Sequence, residues 1–217
     1  MGKSDRNLGT AEAILQAAER LFAQRGFGAV SLREIAREAA VSVSSIGYHF
    51  TDRIGLLAAI YARHTEPMNA RRRELLGEAL RTDDLSARLT AILRAYLLPA
   101  FTSSATTGDG ARFTRLRAVM SAEGDLEARR IIAESFDDTT RAFLDAIAGC
   151  LPGADREDIV WRSQFLLGAL YYTLINPERI DRLSDGHASG ADHGAAIDAL
   201  VSATHASLIA LTPPREA

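Results

Sequence analysis

Along most of the chain apolar residues recur at intervals of three and four, the spacing of a helix with one buried face. Ala13, Ile14, Ala17, Ala18, Leu21 and Phe22 form the first such stripe, in a helix that Thr10 caps and that Gly26 stops after Arg25. Phe27 is placed to plug a small core, and Val30 to staple the next helix start. That start is signalled by Ser31 followed three residues later by Glu34, a capping box in which each side chain satisfies a backbone N–H. Leu32, Ile35, Ala36 and Ala39 then give a short one-sided helix with Arg33, Arg37 and Glu38 on its wet side. The stripe breaks at Ala40-Val41-Ser42, and Ser42 can cap a second short helix through Val43, Ser44, Ser45 and Ile46. Two short helices across a tight turn predict a helix-turn-helix.

Thr51-Asp52 opens a longer helix with Ile54, Leu57, Ile60 and Tyr61 inward, and Pro67 predicts a kink or a restart within it. Leu85, Leu89, Ile92, Leu93, Tyr96 and Leu97 mark another helix that ends near Pro99, with Phe101 before a loop from Thr102 to Gly110. Phe113, Leu116, Val119 and Met120 define the next, closed by Gly124. Asp125 starts a long helix that carries Ile131, Ile132, Phe136, Phe143, Leu144 and Ile147 to Cys150. After the Pro152-Gly153 breaker, helices over about 155–175 and 192–211 bracket a Gly- and Asp-containing loop. The first is apolar on more than one side, through Ile159, Trp161, Phe165, Leu166, Leu170, Tyr171 and Leu174. The second is rich in small residues, at Ala195, Ala196, Ala199, Ala203 and Ala206. A helix with two apolar faces must pack on two things, and small residues let helices approach closely. No stretch alternates at period two, so the predicted fold class is all-α. The predicted organisation is an N-terminal three-helix helix-turn-helix domain with its arm, residues 1–52, followed by a larger helical domain, residues 53–217.

Composition narrows the function classes. With 217 residues and 47% hydrophobic content the chain can bury a substantial core. Its longest apolar run, Phe165 to Ile175, is interrupted by Gly168 and Thr173 and is too short to span a bilayer. No signal segment opens the chain and Cys150 is the sole cysteine, so a soluble, cytoplasmic protein without an intrachain disulfide is expected. A net charge of −3 argues against a general nucleic-acid coat. Up to Phe50, Lys3, Arg6, Arg20, Arg25, Arg33 and Arg37 only slightly outnumber Asp5, Glu12, Glu19, Glu34 and Glu38. Residues Met1 to Gly9 read as a polar tail, frayed in the free protein, whose Lys3 and Arg6 could enter a minor groove. Arg71-Arg72-Arg73 reads as a solvated helix face rather than a second DNA contact. His187, Asp192 and His193 lack the spacing of a zinc motif, and Gly26-Phe27-Gly28 follows a helix instead of a strand. No metal, cofactor or enzymatic activity is expected.

Val43, Ser44 and Ser45 open the second short helix with small hydroxyl- and methyl-bearing side chains, which suit the floor of a DNA major groove and equally an ordinary helical hairpin. The run from Ala13 to Tyr61 resembles the DNA-binding domain of the TetR family of transcriptional repressors. The resemblance is carried in order by Ile14-Leu15, Ala17-Ala18, Leu21-Phe22, Gly26-Phe27, Ser31-Leu32-Arg33-Glu34-Ile35-Ala36, Val41-Ser42, Tyr48-His49-Phe50 and Leu56. It implies that Val43, Ser44, Ser45, Gly47, Tyr48 and His49 face DNA while Ser31, Arg33 and Arg53 touch the phosphate backbone. Three departures stand out: glycine replaces the usual tyrosine at Gly47, arginine the usual lysine at Arg53, and Val43 and Ser44 the commoner lysine and glycine. Operator sequence therefore cannot be carried over.

The resemblance further implies a homodimer through a four-helix bundle of the last two helices, a palindromic double-stranded DNA operator, and a cavity for a small-molecule effector. Candidate lining residues are Tyr96, Phe101, Phe113, Met120, Phe136, Phe143, Trp161, Phe165 and Tyr172. A shortage of buried-looking charge suggests an apolar or mildly polar effector. Release of a repressor by effector is the expectation, although some relatives need ligand in order to bind DNA.

Overall fold

The computed structural model describes residues 3–102 and 110–212, with the side chains of residues 3–8 and 112 outside the description. Its described residues form ten helices and no strand. They are α1 (Lys3–Arg25), α2 (Leu32–Glu38), α3 (Val43–Phe50), α4 (Arg53–Ala79), α5 (Leu85–Thr102), α6 (Gly110–Glu123), α7 (Leu126–Cys150), α8 (Arg156–Ile175), α9 (Glu178–Leu183) and α10 (His193–Ile209). The all-α expectation is met. The chain divides into two compact units: one is Met1–Glu66 with Arg115–Ser135, the other Pro67–Thr114 with Phe136–Ala217.

Several element boundaries differ from those the pattern predicts. α1 begins at Lys3, not at Thr10, because neither Thr10 nor Gly9 interrupts the helical backbone. The basic side chains of Lys3 and Arg6 lie outside the described residues. Pro67 neither ends nor restarts α4, and Pro99 lies inside α5 near its end at Thr102, as its position predicts. Proline removes one N–H per site, and the buried residues on either side hold each helix together around the gap. The loop after α8 contains a further single helical turn and a half, α9, which has no buried residue to betray it in the sequence.

The core of the first unit joins Ile14, Ala17, Ala18 and Phe22 of α1 to Ile35 and Ala36 of α2, Ile46 of α3, and Leu56, Leu57 and Ile60 of α4. Phe27 is fully buried and meets Phe22 edge-on at 5.2 Å, so it plugs the three-helix core as its position predicts. In the second unit, Leu89, Ile92, Leu93 and Leu97 of α5 share a core with Phe143 and Ile147 of α7, Ile159, Leu166, Leu170 and Leu174 of α8, and Ile197, Val201 and Leu208 of α10. α10 packs on both α5 and α8.

Candidate nucleic-acid interface

The reading surface is built from its caps upward. Ser31 Oγ accepts from Glu34 N–H and Ser31 N–H donates to Glu34 Oε2 at 2.9 Å, closing the predicted capping box at the start of α2. Glu34 also takes Arg25 Nη1 at 2.7 Å. The Ser31 backbone bond, then the Arg25 and Ser31 side chains, hold its carboxyl down to about 2 from an ordinary 4.5. A depressed folded pKa contributes stability above the unfolded value and loses it as pH falls through the folded one. The stability gap between wild type and Glu34→Gln should therefore be full at pH 6 and shrink steadily from about 4.5 towards about 2; parallel thermal melts across that range would check it, and a gap independent of pH would contradict it.

Between α2 and α3 the backbone turns at Ala40 with φ 53°, the left-handed region that disfavours a side chain. Ala40→Gly should raise stability by about 0.5–1 kcal/mol, seen as a higher urea midpoint at unchanged slope. Ser42 then caps α3: its Oγ accepts from Ser45 N–H at 3.1 Å and lies 2.8 Å from both Ser44 Oγ and Ser45 Oγ. Ile46 is the one α3 residue fully buried in the core, which fixes the helix's rotation.

With Ile46 inward, Val43, Ser44, Gly47 and Tyr48 are exposed, and Ser45 and His49 are half-buried at the edge of the same face. Tyr48 is 76% exposed and its ring stands edge-on to His49 at 5.1 Å. A Cβ at Gly47 would meet nothing within 4 Å, so the absent tyrosine leaves open surface and not a filled gap. Ser31 and Arg33 are exposed beside this face on the α2 side. An open, uncharged helix face flanked by cationic and hydroxyl groups can admit base edges while its neighbours meet phosphate.

Arg53 has a role the sequence did not reveal. Its Nη1 donates to Phe27 O at 3.3 Å and Val30 O at 3.0 Å, and the guanidinium sits 4.3 Å from the Phe27 ring centre. Glu123, the last residue of α6, holds the same loop from the amide side: its Oε2 accepts from Phe27 N–H at 2.9 Å and Gly28 N–H at 3.3 Å. The α1–α2 loop is thus clamped by a cation on its carbonyls and an anion on its amides. Gly26 makes room for the carboxylate with φ 82°. No local pattern could announce a contact across some 95 residues.

The joint from α3 to α4 is equally tight. Asp52 N–H donates to Phe50 O at 2.6 Å around Thr51, whose φ 62° and ψ −63° form a strained γ-turn. Asp52 Oδ1 caps Gly55 N–H at 2.8 Å, and a Cβ at Gly55 would lie 2.3 Å from Phe50 O. The end of α3 rests directly on α4 backbone.

The candidate effector residues separate into three groups. Tyr96, Phe113, Phe136 and Phe143 lie in the second unit, joined by a Tyr96–Phe143 edge contact at 5.1 Å and a Phe113–Phe136 stack at 6.4 Å. Phe101 is buried there too, against His193. Met120 is buried in the first unit. Trp161, Phe165 and Tyr172 are exposed at 54%, 56% and 54%, which corrects their reading as cavity wall. α8 is apolar on two faces, and its inner face is the one carrying Ile159, Leu166, Leu170 and Leu174. The reading of residues 71–73 as a solvated face also needs correction: Arg72 is 1% exposed. Among the described residues no group of His, Cys, Asp and Glu could hold a metal ion, and no helix is long and apolar enough to cross a membrane.

Fold and surface together define a helix-turn-helix regulator. Residues 14–60 match the family described as bacterial regulatory proteins, tetR family, and residues 94–207 match the tetracyclin repressor-like C-terminal domain. The chain belongs to the TetR family of transcription regulators, which are DNA-binding proteins and not enzymes. It is 38% identical over 74 residues to the HTH-type transcriptional repressor BepR of Brucella suis biovar 1, a match that takes in 34% of each chain. The matched stretch thus spans about a third of that relative's length. The fatty acid degradation regulator FadR from Bacillus halodurans shares the fold across 100% of this chain and 99% of its own, with a TM-score of 0.58 and 16% identity. FadR from Bacillus subtilis, solved in complex with stearoyl-CoA, covers 88% of this chain and 97% of its own, with a TM-score of 0.52 and 15% identity.

Proposed function

We propose that this chain is an effector-responsive repressor that binds a palindromic operator as a homodimer and is released when a small molecule occupies its second unit. The observation that carries the DNA reading is the α3 face, where Val43, Ser44, Gly47 and Tyr48 stand open around a buried Ile46. Ser44 and Ser45 are assigned to base edges with Val43 offering a methyl to thymine, and Tyr48 and His49 flank them. Ser31 and Arg33 are assigned to phosphates. Arg53 acts first as a strut for the α1–α2 loop, and its other guanidinium nitrogen remains the candidate for backbone contact. Functionally the chain is divided at residue 52, into a reading head and an effector and dimer region.

Dimerisation is assigned to α8 and α10. Trp161, Phe165 and Tyr172 lie on one stripe of α8, and Ala195, Ala199, Ala203 and Ala206 are exposed along α10. A two-fold axis through such a surface would present two α3 helices to successive major grooves. Effector release is a population shift: the ligand binds more tightly to a state in which the heads are misplaced, and DNA weakens ligand binding equally. α4, α6 and α7 each run from one compact unit into the other, so they are the covalent route for that coupling. The cytoplasm is the compartment this activity requires.

Selection of fragmented genomic DNA on the purified protein, sequenced at two salt concentrations, tests the reading. Enrichment of a palindrome that survives the higher salt supports it. Retention without sequence preference that vanishes with salt would leave only electrostatic binding.

A further inference from the structure

The nearly neutral charge count of the reading head conceals how that charge is sorted. Each of the four carboxylates described on α1 and α2 meets a basic side chain of α1 or α4. Glu34 takes Arg25 Nη1 at 2.7 Å, Glu38 takes Arg20 Nη2 at 3.2 Å, Glu12 takes Arg63 Nη2 at 2.8 Å, and Glu19 lies 3.0 Å from His64 Nε2. Successive residues of a helix point about 100° apart, so Glu34 and Glu38 look towards α1 while Arg33 and Arg37, one turn apart, share the outer side of α2. Both arginines are exposed, and among the described residues neither makes an ion pair or a side-chain hydrogen bond. The open face of α3 offers no cation in their place. Val43, Ser44, Gly47 and Tyr48 are uncharged, and Arg53 Nη1 is committed to the carbonyls of Phe27 and Val30.

We infer that Arg37 is a phosphate-backbone residue of the reading head, continuing along α2 the strip of positive charge that Arg33 begins. The first helix of a helix-turn-helix crosses the sugar–phosphate backbone while the second enters the groove. Four residues along a helix advance about 6 Å, so the two guanidinium groups can address different phosphates and need not compete for one. Each keeps its charge at any pH the fold survives and matches a phosphate with two parallel N–H···O bonds. The ion pairs with α1 make this possible. Taken alone, α2 carries two arginines and two glutamates and is neutral; Arg20 and Arg25 cancel the glutamates, so a duplex approaching its outer side meets two positive charges per head. The inference rests on reading α3 as the groove-facing helix, and it adds one charged contact per head to those of Ser31 and Arg33.

Salt titration of DNA binding by the full-length protein provides the test, on the palindrome enriched from genomic fragments and on a scrambled duplex of equal length. Each phosphate contact contributes about 0.9 to the slope of log affinity against log salt, so Arg37→Gln should flatten the slope by about 1.8 for a dimer with one such contact per head. Affinity at physiological salt should fall roughly 2- to 30-fold, the worth of two exposed ion pairs. The factor should be the same on both duplexes, because a phosphate carries no base sequence. Arg37→Lys, which keeps the charge, should restore most of the slope. The double variant Arg20→Gln with Glu38→Gln removes a bonded pair at constant net charge, and its slope should match the wild type. An unchanged slope in Arg37→Gln would overturn the proposal, as would a loss confined to the palindrome or an equal flattening in the paired double variant. A palindrome whose binding ignores Arg37 removes this contact and leaves the regulator. Salt-sensitive binding without sequence preference that Arg37→Gln weakens keeps the contact and removes the specific operator.

Discussion

Placing aspartate at Trp161 and Phe165 together is expected to convert the protein to a monomer and to weaken operator binding by roughly 100- to 10,000-fold, the loss of effective concentration when one reading head no longer holds the other on DNA. Both side chains are more than half exposed, and their rings lie 6.0 Å apart on α8. The inner face of α8 is untouched by the change, so helix content should survive. Light scattering during gel filtration would give half the wild-type mass, and binding to a single half-site should be nearly unchanged. A variant that stays dimeric with full affinity would move the interface away from α8. The carboxylates act by burial: an unpaired charge at a symmetric interface is desolvated twice, once on each side of the axis.

The second large effect is expected from a single methyl group. Gly55→Ala would set a Cβ 2.3 Å from Phe50 O, and the atom it meets is backbone at the end of the recognition helix. Either α3 moves by about an ångström or the fold loses about 1–3 kcal/mol, the range for overpacking a tight contact. Thr51 already occupies a strained γ-turn, so the joint has little room to relax. Operator affinity should drop at least tenfold although Gly55 is assigned no DNA contact, and the melting temperature should fall with it. Fluorescence anisotropy and calorimetry on the same preparation measure both. Unchanged affinity and stability would mean that α3 is not positioned through Phe50.

Much of the fold could be read from side-chain spacing, because amphipathic helices write their inner face into the sequence. Ser31 and Ser42 cap helices where the pattern places them, and Phe27 fills the core it was expected to fill. The misreadings have physical causes. A helix carrying apolar residues on two faces does not say which face is inner, so Trp161, Phe165 and Tyr172 were placed inside when Leu166, Leu170 and Leu174 occupy that side. A triple-arginine run looks solvated by composition, yet Met68, Arg72, Leu76 and Ala79 share one helical stripe, and that register was the signal available for burying Arg72. Glu123 gave no such signal, since its partners are amides of a loop distant in sequence. Arg53 was read through its charge alone, whereas the carbonyls of Phe27 and Val30 compete for it.

Paired α3 helices on one face of the duplex are the central claim, and hydroxyl-radical footprinting on the enriched palindrome tests it most directly. The account predicts two protected patches related by the two-fold axis, centred about one helical turn or a multiple of it apart, about 10–10.5 base pairs per turn. Tyr48→Ala should fade both patches together. A single patch, or continuous protection without the dyad, would contradict a symmetric dimer reading DNA through α3.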